Sequence, residues 1–325
     1  MKLLRHFTSL ILLGALGVHA GTVLAQSYPS RPIRIVVPFV AGGALDTTAR
    51  LISPKMADAL NQPVLVENRP GAGGIIGADL VAKAAPDGYT ILMHSDGLAV
   101  APSLYRKLPF NAAKDFVRVT QLLVSPLILV AGPKVPAAST TELIAMAKSK
   151  PGGLSYRHPG VGATTQLTME LLKLSAGIDL LGIPYKGPAQ INIALMAGEV
   201  EVAIVPLGGS LPSIKAGRLR ALGVTGARRL AVLPDVPTVA EAGVTGFESE
   251  SLQGLFVPAK TPRDIVELIQ REAVKALNLP DVRDRILAMG LELVGSTQEE
   301  VEAKYKADLG KFARIVKEAR IPLQN

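Results

Sequence analysis

Residues 38–46 read PFVAGGALD, directly after the apolar run IRIVV, and residues 160–166 read GVGATTQ, directly after LSYRHP. Both are glycine-rich corners between a strand-like and a helix-like segment. Gly42 and Gly43 in the first, and Gly160 and Gly162 in the second, let backbone approach a ligand closely. The helix that follows offers unpaired N–H groups and the positive end of its dipole, which is anion-binding chemistry. A nucleotide does not fit the first corner. The nearest cation after Gly43 is Arg50, well inside the helix, so there is no G-x-x-x-x-G-K-[ST], and there is no G-x-G-x-x-G. A carboxylate ligand suits it, with Asp46 opening the helix. In the second corner the hydroxyls of Thr164 and Thr165 either cap the helix or bond a ligand oxygen. Two such corners facing each other across a cleft would grip one ligand from both sides.

Other reactive residues are sparse. HSDG places His94, Ser95 and Asp96 together, but adjacent strand residues point to opposite faces and cannot converge as a triad, and no G-x-S-x-G elbow exists. Beyond the first 25 residues the histidines are His94 and His158, far apart and without H-E-x-x-H or cysteine, so neither a metal nor a cofactor is called for. Both sit at C-terminal strand ends, where α/β ligands bind. A third glycine-rich stretch, ENRPGAGGIIGADLVAK, is read as tight packing rather than ligand approach.

The elements that must position the corners read as an α/β chain, because Val- and Ile-rich runs of five to seven residues alternate with helical patterns. Strands are predicted at 33–37, 63–67, 90–94, 127–131, 154–157, 180–184, 200–205, 219–224, 252–257 and 291–294. Thr261 with Pro262 predicts one helix start, and Thr297 with Glu300 predicts a capping box for another. The 325 residues exceed one typical core and suggest two lobes. Residues 1–25 carry Lys2 and Arg5, a short apolar run, then Val23 and Ala25, the pattern of an export signal cleaved after Ala25. The chain has no cysteine, and its formal charge of +8 falls to +6 once Lys2 and Arg5 are removed. That favours anionic ligands. Nucleic acid is not indicated, since cations are interspersed with acids, aromatics are 4% and Trp is absent.

Taken together, YPSRPIRIVVPFVAGGALD, VENRPGAGGIIGADLVAKAAPDGYT, LGIPYKG, SIKAGRLRALGVT, LPDVPTVAEAG and GLFVPAKTP resemble the substrate-binding receptors of tripartite tricarboxylate transporters, the Bug-type periplasmic receptors. The resemblance runs from about Tyr28 to the last helix. It implies an α/β, two-lobed Venus-flytrap periplasmic binding protein fold (type II) with each lobe a mainly parallel sheet flanked by helices. The lobes would be built as 26–124, 125–248 and 249–325, with the last segment returning to the first lobe. It implies a monomeric periplasmic receptor, not an enzyme, that binds a small organic acid and works with the membrane subunits of such a transporter or with a sensor kinase. Carried onto this chain, the ligand contacts would be Phe39, Gly42, Gly43 and Asp46 in the first lobe and Gly162, Ala163, Thr164 and Thr165 in the second. Departures from the family pattern are Arg157 and His158, Gln166, Val205 with Pro206, and Leu252 with Gln253. Arg157 and His158, at the end of their strand, are read as further ligand contacts that set specificity. The alternative of another class is a secreted α/β hydrolase acting on a small ester or amide, for which no nucleophile and base pair is recognisable.

Overall fold

The computed structural model describes residues 28–185 and 187–325, and the export-signal reading of residues 1–25 lies outside the described residues. The compact unit Arg31–Asn325 carries the site.

Its strands in chain order are β1 (Ile33–Val37), β2 (Val64–Asn68), β3 (Thr90–Ser95), β4 (Phe116–Ser125), β5 (Leu127–Ala131), β6 (Ser155–His158), β7 (Leu181–Pro184), β8 (Val202–Pro206), β9 (Arg220–Val224), β10 (Ser251–Pro258) and β11 (Glu292–Leu293). They form two sheets, ordered β11-β4-β10-β3-β1-β2 and β7-β6-β8-β5-β9. The two-lobed α/β class stands, with one refinement to the sheets. Each has a parallel part, β2-β1-β3 and β7-β6-β8, but β10 runs antiparallel to β3 and β4, and β5 runs antiparallel to β8 and β9. The sheets are therefore mixed, because the strands that carry the chain between lobes enter against the direction of their neighbours.

The crossing is narrow. β4 becomes β5 across Pro126 alone, and the chain returns along β10, whose Ser251 pairs with Ser125 and Leu252 with Val124. Ser249 N donates to Thr225 O, and Thr225 N to Leu127 O, so the two crossings lie side by side. β4 is absent from the predicted strands because Arg118, Thr120 and Gln121 interrupt its apolar character. All three are buried. The Arg118 guanidinium donates to the carbonyls of Phe116 and Ala112 and stacks on Tyr305, Thr120 Oγ1 donates to Ser296 O, and Gln121 N donates to Ser296 Oγ.

The helices are α1 (Ala44–Leu60), α2 (Ile75–Ala82), α3 (Gly97–Leu104), α4 (Thr140–Ser149), α5 (Thr164–Ala176), α6 (Pro188–Met196), α7 (Leu207–Lys215), α8 (Arg263–Leu277), α9 (Pro280–Ala288) and α10 (Gln298–Glu318). Thr297 and Glu300 form the predicted capping box at α10. At α8 the start falls one residue later than predicted. Pro262 is the cap residue, and the Thr261 hydroxyl instead donates to Pro258 O. α10 packs on α3 of the first lobe and α5 of the second, so one apolar cluster containing Leu92, Leu98, Leu104, Leu167, Ile204 and Phe312 joins both lobes. Burying each such side chain contributes about 1.5–3 kcal/mol. No helix among the described residues is long and apolar enough to cross a membrane.

Candidate functional site

The first corner leaves β1 at Pro38 and enters α1 through Gly43, its cap residue. Gly42 adopts φ +84°, a conformation that disfavours a side chain. Asp46, third residue of α1 and 3% exposed, braces the loop. Its carboxylate accepts from Gly42 N at 2.9 Å, from Arg50 Nε at 3.0 Å and from Asn68 Nδ2 at 2.9 Å, while Asn68 also donates to Phe39 O. Burial pushes the Asp46 pKa upward, but hydrogen bonds from Arg50, Gly42 and Asn68 outweigh it and leave it below the ordinary carboxylate value. Asp46 is thus occupied by the loop itself. The N–H groups of Gly43, Ala44 and Leu45 open the helix and have no intrahelical acceptor. This turn lies exposed apart from half-buried Leu45, and Phe39, half-buried, sets its ring edge-on to His94 at 5.5 Å.

The second corner repeats this construction. Gly162 adopts φ +82° and donates its N–H to Gln166 Oε1 at 2.7 Å, four residues on, as Gly42 does to Asp46. Gln166 is therefore the brace of this loop. Ala163 is the cap residue of α5, and the N–H groups of Thr164 and Thr165 head the helix. The match continues inward: Thr48 Oγ1 lies 2.8 Å from Ala44 O, and Thr168 Oγ1 lies 2.7 Å from Thr164 O. Both hydroxyls then reach the return crossing, Thr48 to Gln253 Oε1 at 3.1 Å and Thr168 to Ser249 Oγ at 2.7 Å. Four residues of extended chain span about 13 Å, which sets the spacing at which α1 and α5 are fastened to one segment.

Between those two fastenings lies Ser251, which donates to Asp96 Oδ1 at 3.0 Å. Ser249, Ser251 and Gln253 alternate along the chain, so extended geometry puts them on one face as a polar floor beneath the corners. Burial raises the Asp96 carboxyl to about 6, and burial lowers His94 to about 4, so His94 is neutral at pH 7. Thr165 Oγ1 is buried without a hydrogen-bond partner, unlike the occupied hydroxyl of Thr168.

Arg157 and His158 part company, as strand alternation requires. His158 lies with Tyr156 on the face toward α5, buried, with Nδ1 3.0 Å from Gly160 O, where it holds the second loop. Burial lowers its pKa. Arg157 turns to the other face, where Nη1 lies 3.4 Å from Ser155 Oγ, itself bonded to Glu201. The third glycine stretch serves packing. A side chain at Gly77 would press on Pro38, and one at Gly74 on His94 and Phe39. A cavity of 490 Å³ beside Tyr185, Gln190 and Ile193 takes no residue from either corner. Among the described residues no cluster of His, Asp or Glu is placed to hold a metal. Sequence reading weighed Asp96 only within HSDG and missed Ser249 and Ser251, although the Ser-x-Ser-x-Gln alternation entering an apolar strand was a usable signal.

The family model described as the tripartite tricarboxylate transporter family receptor matches residues 48–321. The chain is 36% identical over 307 residues to the protein BugT of Bordetella pertussis, with 94% of each chain covered. Among solved structures, an R. palustris protein with adipate superposes with a TM-score of 0.77 at 32% identity, covering 91% of this chain and 100% of that one. MatC from Rhodopseudomonas palustris with bound malate gives 0.74 at 32% identity, covering 89% and 100%.

Proposed function

This chain belongs to the tripartite tricarboxylate transporter receptor family, and from that premise we propose that its two corners clasp a small organic carboxylate between the lobes. The family is one of binding proteins, not enzymes, so the hydrolase alternative falls away. The observation that carries the reading is the duplicated corner: two helix N-termini, each braced by a glycine N–H bonded four residues on, and each fastened to the same crossing segment. A carboxylate presents two acceptor oxygens, which matches paired N–H donors at a helix head. The adipate and malate of the two relatives make a dicarboxylate the favoured class, one carboxylate at each corner or both within reach of them. The contacts are the N–H groups of Gly43, Ala44, Ala163, Thr164 and Thr165, with Thr165 Oγ1 and the Phe39 ring. Gly42, Gly162, Asp46 and His158 hold the loops in shape.

In this reading the first lobe comprises 26–124 and 249–325 and the second 125–248, consistent with the membership of the two sheets. The receptor works in the periplasm after losing residues 1–25, and delivers its ligand to transporter membrane subunits or to a sensor kinase.

Saturating the protein with linear mono- and dicarboxylates should raise its melting temperature. Ligand at a hundred times its Kd adds about 2.7 kcal/mol, on the order of 5 °C here. Equal stabilisation by the matching amides would refute carboxylate recognition. Arg157→Ala should leave affinity within about twofold, since its guanidinium reaches Ser155 Oγ on the face opposite His158; a charged hydrogen bond to ligand would instead cost about 1.5–3 kcal/mol. Calorimetry with the best acid separates the two.

A further inference from the structure

Asp96 stands where β3 turns into α3, 1% exposed, at a meeting of several elements. Ser251 of the crossing segment donates to Oδ1. Thr164, which heads α5, turns its hydroxyl toward the same carboxyl, yet Oδ2 is buried without a completed hydrogen bond. From α10 the charges of Asp308 and Lys311 act on it, but Lys311 is already paired with Asp308 at 2.7 Å, so little cationic compensation reaches Asp96. His94, two residues earlier on β3, is neutral at pH 7. The carboxyl is therefore short of donors and next to the residue that opens the second corner.

We propose that the receptor takes up one proton on Asp96 when it binds its carboxylate, so that acid anion and proton are held together. The inference rests on the carboxylate reading above. An anion on the N–H groups of Thr164 and Thr165 brings a second negative charge near Asp96, which is itself buried, and two like charges at close range disfavour each other. Protonation from solvent removes that repulsion and makes Oδ2–H a donor where Oδ2 now lacks a partner. Burial has already carried Asp96 from 3.8 to about 6 in the free protein, so a modest further rise on binding captures the proton near neutral pH. The sign follows: a carboxyl whose pKa rises on binding makes affinity grow as pH falls. The gain is up to about tenfold per pH unit between the free and bound values.

The test is calorimetry on the intact protein at pH 7, in two buffers of different ionisation enthalpy, with the acid that stabilises it most in a panel from acetate to adipate that includes malate. The wild type should take up a substantial fraction of one proton per ligand. Asp96→Asn should take up none and should bind with an affinity that varies little between pH 6 and 8. Comparing the two at one pH cancels any titration of the acid itself. An acid that binds the wild type without buffer dependence overturns the proposal even if the variant does not fold, and so does undiminished uptake in Asp96→Asn. If no acid in the panel binds at all, the carboxylate reading fails and this proposal with it. A merely structural Asp96 would alter stability but not the proton count.

Discussion

Asp46→Ala is expected to destabilise the protein by about 2–4 kcal/mol, a fall of roughly 5–10 °C in melting temperature. The carboxylate is buried and accepts from Gly42 N, Arg50 and Asn68, so its removal takes away the acceptor these three donors share and leaves the Asn68 side chain tied to the first corner only through Phe39 O. Hydrogen bonds to a charged group are each worth more than neutral ones, but they share one acceptor and do not add in full. Asp46→Asn keeps one acceptor oxygen for Gly42 N and loses the pairing with Arg50, so it should fall between the two. The pH dependence carries a sign. The folded pKa lies below the ordinary 3.8, so the contribution is present above that value and is lost as pH falls through it toward the folded value. The stability gap between wild type and Asp46→Ala should therefore be level from pH 5 to 8 and narrow below 3.8. Denaturant melts at several pH values measure it, and a gap that widened on acidification would contradict the brace.

The same residue shows how far the sequence could be read. Two glycines before a helix announce a loop that needs unusual backbone, and both corners were legible on that ground. The role of Asp46 was not, because its partner Asn68 arrives from β2, 22 residues on, and a helix-opening carboxylate reads equally well as a ligand contact. β1 and β5 were predicted to the residue, since five consecutive apolar residues buried on both faces in β5, and four apolar residues interrupted only by Arg34 in β1, leave little ambiguity. β4 was missed because its buried Arg118, Thr120 and Gln121 bond to the Ala112 carbonyl and to Ser296, contacts that no local pattern records. For Arg157 and His158, alternation was readable but not which face looks toward α5. Asp96 was weighed only as part of HSDG. Its setting depends on Ser251, 155 residues away, and on Thr164 in the other lobe.

Gly162→Ala is expected to weaken ligand binding about 10- to 100-fold, while Gly42→Ala weakens it by no more than about tenfold. The two glycines are equivalent in every local respect: φ of +82° and +84°, an N–H bonded to the residue four on, and a place one residue before the cap. A left-handed non-glycine residue costs about 1–2 kcal/mol, and both substitutions carry that cost. They differ in what the new methyl meets. At Gly42 it enters open space, whereas at Gly162 it overlaps Leu104 Cδ2 at the end of α3, on the opposite lobe. Leu104 is buried in the core cluster that joins the lobes, so it has little room to rotate away, and the methyl acts as a wedge between α3 and the second corner. The excess of Gly162→Ala over Gly42→Ala is then a measure of the interlobe contact. Leu104→Ala in the Gly162→Ala background should recover most of that excess in affinity even though Leu104→Ala alone loses core packing, a coupling visible in a double-mutant cycle. Equal losses in the two glycine variants, with no recovery in the double variant, would mean that Leu104 and the second corner do not bear on each other when the ligand is bound.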